Sequence, residues 1–138
     1  MRRLHHIGIV VVSISAAAPG FARSLSASWD SRIFHDPAQG ARVSFLSFGS
    51  GEPQVELVEP AGDDSPVARA AQSGGGMHHM CFEVQALDAE IDAGRASGAV
   101  LVKAPQPAVA FDGRRICWMF TRERLLVEYL EAAKSGPA

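Results

Sequence analysis

Two histidines and two glutamates recur in this sequence where a strand pattern would otherwise be apolar. His6 lies within Leu4-His5-His6-Ile7-Gly8-Ile9-Val10-Val11, and His79 occupies the same place in Met77-His78-His79-Met80-Cys81-Phe82-Glu83-Val84, 73 positions later. Glu56, in Val55-Glu56-Leu57-Val58-Glu59, is answered 72 positions later by Glu128 in Val127-Glu128-Tyr129-Leu130-Glu131. Side chains alternate faces along a strand, so His6 shares a face with Gly8 and Val10 and turns away from Ile7, Ile9 and Val11. By the same parity His79 stands opposite Met80, Phe82 and Val84, Glu56 opposite Val55 and Leu57, and Glu128 opposite Val127 and Tyr129. A carboxylate in the middle of an apolar strand needs a counter-charge, hydrogen bonds or a metal, because burying it alone is very costly.

Taken singly, each histidine reads as a hydrogen-bonded structural residue and each glutamate as a solvent-facing one. Their joint recurrence at equivalent places of a repeat points to His6, Glu56, His79 and Glu128 as the ligands of one divalent ion at a pseudo-two-fold centre. Two imidazole nitrogens and two carboxylate oxygens leave two positions open on a six-coordinate ion. That set suits Co(II), Ni(II), Mn(II) or Zn(II) and lets a substrate bind directly, whereas a closed structural zinc site would favour cysteines and four ligands. His5 and His78 have the opposite parity and are expected to face the helix side as structural residues, and His35 has no repeat partner. Arg114, Arg115 and Lys103 read as solvated strand and loop charges rather than as contacts for an anionic substrate.

The elements that must position these groups also repeat. Arg42-Val43-Ser44-Phe45-Leu46 is answered by Arg115-Ile116-Cys117-Trp118-Met119, again 73 positions later. Each half reads as a strand, a helix and three strands, giving an α+β chain of two βαβββ modules. Leu87 to Ser97 has a helical period that stops at Gly98, as a C-terminal glycine would stop it. Its counterpart is predicted over Ala16 to Ala27, opened by Ser15 and Pro19. Further strands are predicted at about Asp30 to His35, Ala41 to Phe48, Gln54 to Glu59, Val100 to Lys103, Arg114 to Thr121 and Leu125 to Leu130. Turn chemistry separates them at Gly49-Ser50-Gly51 and Asp112-Gly113. Module one covers about 3–60 and module two about 77–132, joined by a linker over about 61–76. In the linker Ser65-Pro66 caps a short helix ending at Ser73, and Gly74-Gly75-Gly76 reads as a hinge.

With 138 residues, of which 47% are hydrophobic and 20% charged, the chain fits one globular domain, 1–138, with its own core. Thirteen Lys and Arg against 15 Asp and Glu give a net charge of −2, with no basic run longer than Arg114-Arg115. That balance argues against a nucleic-acid partner. No apolar run approaches the roughly 20 residues of a membrane span. The start of the chain mimics a signal peptide in its Arg2-Arg3, apolar stretch and alanines, but the same segment belongs to the repeat. Cys81 and Cys117, without CxxC spacing, suit buried, reduced thiols, and the expected location is cytoplasmic.

Over nearly its whole length the chain resembles the vicinal oxygen chelate (glyoxalase/bleomycin-resistance) superfamily, and within it the methylmalonyl-CoA epimerases. The resemblance is carried by Leu4 to Ile9, Val55 to Pro60 followed by Ser65-Pro66-Val67-Ala68, Gly76 to Val84, and Leu126 to Leu130. It implies a cup-shaped mixed sheet, a homodimer, and a divalent ion on the same four residues. It also implies an isomerase that removes and returns a proton beside a carbonyl of a small-molecule acyl thioester, with Glu128 and Glu56 as the acid/base pair. Lactoylglutathione lyases share the His, Glu, His, Glu order, and some members are metal-free binding or resistance proteins, so these stand as alternatives. Two departures touch the substrate: Val43 stands where some epimerases carry an acid, and Phe120 to Arg124 replaces a longer loop.

Overall fold

The structure is a computed structural model that describes residues 2–133. The chain divides into two compact units, one spanning His5–His78 and the other joining the residues through Leu4 to those from His79 onward. The first contains most of β1 (Arg2–Val10), then α1 (Ile14–Leu25), β2 (Ser28–Trp29), β3 (Phe34–Asp36), β4 (Ala41–Ser47), β5 (Gln54–Pro60) and α2 (Ala68–Gln72). The second contains most of β6 (Gly76–Val84), then α3 (Leu87–Ala96), β7 (Val100–Pro107), a 3₁₀ turn (Val109–Phe111), β8 (Arg115–Phe120) and β9 (Leu126–Glu131).

In the first unit β1 pairs in parallel with β5, β5 pairs antiparallel with β4, and β4 carries both β2 and β3. The second repeats the plan: β6 is parallel to β9, and β9, β8 and β7 follow antiparallel. This is the α+β, mixed-sheet arrangement expected from the repeat. One face of each sheet is covered by its helix. Ile14 and Ala18 of α1, one turn apart, pack with Val11, Leu46 and Leu57, with Phe21, Ile9 and Val55 at the margin. Leu87 and Ile91 of α3 pack with Val84, Cys117, Met119, Val127 and Tyr129. The apolar parity read from the strands is therefore the helix-facing parity in both units.

Helix α1 begins two residues before the predicted start. The Ser13 hydroxyl accepts from Ala16 N at 3.2 Å, and a carboxylate oxygen of Glu59 accepts from Ile14 N at 2.7 Å, so two of the orphan donors at the helix start are satisfied. Pro19 then falls inside the helix on its exposed side, rather than opening it. The predicted strand Asp30 to His35 is split. Asp30 accepts from Arg32 N at 2.9 Å, Ser31 adopts φ +66°, and the Ser44 hydroxyl, which receives Trp29 Nε1 at 2.7 Å, donates to the Arg32 carbonyl. Local side-chain bonds thus divert the backbone from the ladder.

β7 runs four residues past its predicted end, with irregular register, and its Pro105 and Pro107 are tolerated because it lies at the edge of the sheet. The shortened loop before β9 is a tight turn in which Thr121 N donates to the Leu125 carbonyl and Leu125 N to Thr121 Oγ1. Gly74 to Gly76 leads from α2 into β6, and its middle residue is held close to β1. Gly75 N closes α2 on the Ala70 carbonyl at 2.8 Å, and a Cβ at Gly75 would lie 2.3 Å from the Val10 carbonyl oxygen.

Candidate metal centre

In the first unit Glu56 sits between Gly8 of β1 and Phe45 of β4, its register partners on the two flanks. His6 precedes Gly8 by two residues and so shares its face. The result is a His6–Glu56 pair, Nε2 to Oε1 3.5 Å, with His6 fully buried and Glu56 5% exposed. The second unit builds the same group. Glu128 lies between Cys81 of β6 and Trp118 of β8, and His79, two residues before Cys81, places Nε2 3.6 Å from Glu128 Oε1. Both partners are buried, at 3% exposure each.

The sequence reading did not single out the aromatic residues beside these pairs. The Phe45 ring meets His6 edge-on at 5.7 Å and the Trp118 ring meets His79 at 4.6 Å. The signal was available, since Phe45 and Trp118 are equivalent positions of the repeat. Each ring restrains an imidazole from the side while leaving Nε2 directed at its carboxylate. His5 also differs from expectation: its Nδ1 lies 2.8 Å from Nδ1 of His6, so its ring contacts the neighbouring imidazole.

These pairs fit a cation in donor type and spacing. At 3.5–3.6 Å they are long for an N–H···O hydrogen bond. Two donors each about 2.1 Å from one ion would stand about 3.0 Å apart at a right angle and about 3.4 Å apart at a tetrahedral angle. Each buried nitrogen and carboxylate oxygen thus has nearly the separation of adjacent ligands.

The charged groups nearby are engaged with one another. Glu83 on β6 receives Arg3 at 3.2 Å and Arg114 at 2.8 Å. Burial pushes its carboxyl up, but the Arg114 hydrogen bond and the two guanidinium charges hold it below its ordinary value. Arg115 binds Glu131 at 2.5 Å, so Arg114 and Arg115 are both ion-paired rather than simply solvated. Arg2 binds Glu90 at 2.6 Å and lies over the Phe82 and Tyr129 rings, and its guanidinium is raised chiefly by the Glu90 hydrogen bond. On the face of Glu56, Val43 and Val58 are paired and buried.

Residues 5–118 match the model of the glyoxalase/bleomycin resistance protein/dioxygenase superfamily. The chain belongs to this superfamily. An ethylmalonyl-CoA/methylmalonyl-CoA epimerase of Cereibacter sphaeroides is 28% identical over 123 residues, spanning 88% of this chain and 90% of that protein. Among solved structures, a hypothetical protein from Bacillus halodurans superposes with a TM-score of 0.83 at 28% identity, covering 99% of both chains. Methylmalonyl-CoA epimerase from Mycobacterium tuberculosis superposes at 0.81 over 96% of this chain and 89% of that one; at 24% identity it speaks to the fold. An epimerase is thus among the relatives this chain resembles over most of its length.

Proposed function

We propose that this protein epimerises a 2-acyl-CoA thioester such as methylmalonyl-CoA, with His6, Glu56, His79 and Glu128 as ligands of one divalent ion and the two modules acting as one domain. The observation that carries the reading is the buried His–Glu pair built twice, at equivalent strand positions with an aromatic ring beside each histidine. Similarity to an epimerase over most of both chains supports the substrate class.

In this reading His6 and His79 would present neutral ring nitrogens, and whichever of Glu56 and Glu128 is ionised would offset part of the cation's charge. A divalent ion there supplies positive charge that favours the negative charge developing on a thioester carbonyl when the adjacent carbon loses its proton. Glu128, ionised, takes that proton from one face of the substrate while Glu56, protonated, gives its own to the other face, so the centre inverts and the two carboxyl groups exchange protonation states. No acid is needed at Val43, because each module already contributes a carboxylate.

The test is metal content by mass spectrometry on protein purified without chelator or affinity tag, followed by incubation of the Co(II)-loaded protein with methylmalonyl-CoA in D₂O. About one ion per chain, lost in His79→Ala, and deuterium entering at the α-carbon are expected. A metal-loaded protein that exchanges no α-proton, yet converts the hemithioacetal of methylglyoxal and glutathione, would replace this reading with a lactoylglutathione-lyase one. Failure to take up Co(II) or Zn(II) would move the weight to a metal-free binding protein.

A further inference from the structure

The His5–His6 contact has a chemical consequence of its own. Their Nδ1 atoms lie 2.8 Å apart with the rings nearly perpendicular at 78°, a hydrogen-bond distance that two bare nitrogen lone pairs would not hold. One proton therefore lies between them when both rings are neutral. If His5 carries it, the neutral His6 ring is protonated at Nε2, and the nitrogen facing Glu56 has no lone pair to give. If His6 carries it, Nε2 is bare and can bind a cation, while His5 becomes the acceptor and keeps its own proton on Nε2. His6 is fully buried, so it cannot turn to water to satisfy Nδ1 without leaving its place against Phe45.

We infer that His5 is a positioning residue: it accepts the Nδ1 proton of His6 and so fixes the tautomer in which His6 Nε2 is the metal-binding nitrogen. This rests on the metal reading above. It assigns His5 a task that strand parity hides, since a residue one position along a strand is expected to act on the opposite face. The acceptor is another imidazole rather than a carboxylate, so the orienting contact brings no added negative charge.

Two substitutions separate acceptor from bulk. His5→Phe keeps a ring edge-on to His6 but cannot accept, whereas His5→Asn places an amide oxygen close to the former Nδ1. Co(II) affinity is read by competition with a chromophoric chelator, and the His6 tautomer by long-range ¹⁵N–¹H correlation on the Zn(II)-loaded protein. Expected are a 10–100-fold weaker affinity in His5→Phe, the range that loss of an orienting partner to a ligating histidine gives, and recovery to within a few-fold in His5→Asn. In the wild-type protein the His6 proton is expected on Nδ1. Equal affinity in wild type and His5→Phe, both folded by circular dichroism, would overturn the role of His5 and leave the metal reading standing. So would a metal-loaded wild type with the His6 proton on Nε2. No uptake by the wild type would remove the metal reading itself, and this inference with it.

Discussion

Replacing Gly75 with alanine probes how tightly the link between the modules is tied to the strand that carries His6. Gly74 and Gly75 both adopt positive φ, +104° and +77°, but a Cβ at Gly74 meets nothing within 4 Å. At Gly75 it would stand 2.3 Å from the Val10 carbonyl oxygen and 3.2 Å from its carbon. Both substitutions incur the backbone cost of an L-residue in this region, about 1–2 kcal/mol. Both recover roughly 0.4–1 kcal/mol from the stiffer unfolded chain. Only Gly75→Ala must also move two backbone segments apart, and overpacking of this kind adds about 1–3 kcal/mol.

The expected losses are thus about 1 kcal/mol for Gly74→Ala and about 2–4 kcal/mol for Gly75→Ala. For a chain of this length, 1 kcal/mol corresponds to roughly 3.5 °C in the thermal midpoint. Differential scanning calorimetry should therefore place Gly75→Ala about 7–14 °C below wild type and Gly74→Ala about 3–4 °C below. Equal midpoints for the two variants would refute the argument, since the carbonyl contact is what distinguishes them. Val10 lies on the same strand and face as His6, so the displaced backbone should also lower Co(II) affinity in the folded Gly75→Ala protein, measured below its transition.

Glu128→Gln should keep the fold, with an unchanged far-ultraviolet spectrum, while abolishing deuterium entry at the substrate α-carbon; unchanged exchange would remove Glu128 from the chemistry. Glu59→Ala removes the acceptor for Ile14 N and the partner of Arg42 Nη1 at 3.1 Å, and urea unfolding should show a loss of about 1.5–3 kcal/mol, smaller in Glu59→Gln, which keeps an acceptor. Burial pushes the Cys117 thiol up from 9.0 to about 11. The folded state thus resists ionisation that the unfolded chain permits, so stability is full below about pH 9 and falls as pH rises through about 11. Thermal midpoints measured across that window should decline less steeply in Cys117→Ala than in wild type.

Much of the fold was legible because the hydrophobic period is a local signal and the chain states it twice. The repeat, at offsets of 73 for the histidines and 72 for the glutamates, located both His–Glu pairs and the strands bearing them. Strand parity correctly set Ile9, Val55 and Leu57 on the helix-covered face and left Glu56 on the other. Helix α3 was plain for the same reason, with Leu87 and Ile91 one turn apart and Gly98 just past its end.

What stayed hidden depends on groups distant in sequence, or on side chains competing with the backbone. The start of α1 is set jointly by Ser13, a local cap two residues before the Ser15 chosen from the sequence, and by Glu59, which lies 45 residues from the amide it receives and which no local pattern could announce. The interruption between β2 and β3 comes from Asp30 and Ser44 capturing backbone groups that a ladder would otherwise use. His5 followed the alternation rule in its backbone and still reached His6, because ring orientation is a rotamer choice that periodicity does not encode. The sequence by itself singled out the paired His and Glu residues as candidates and determined which face of the strand each occupies, since both follow from residue type and a period of two. Tertiary structure alone decided the His–Glu distances and the rings packed beside them, because these arise where strands far apart in the chain are brought into register, and it chose the rotamers that bring the His5 ring to His6.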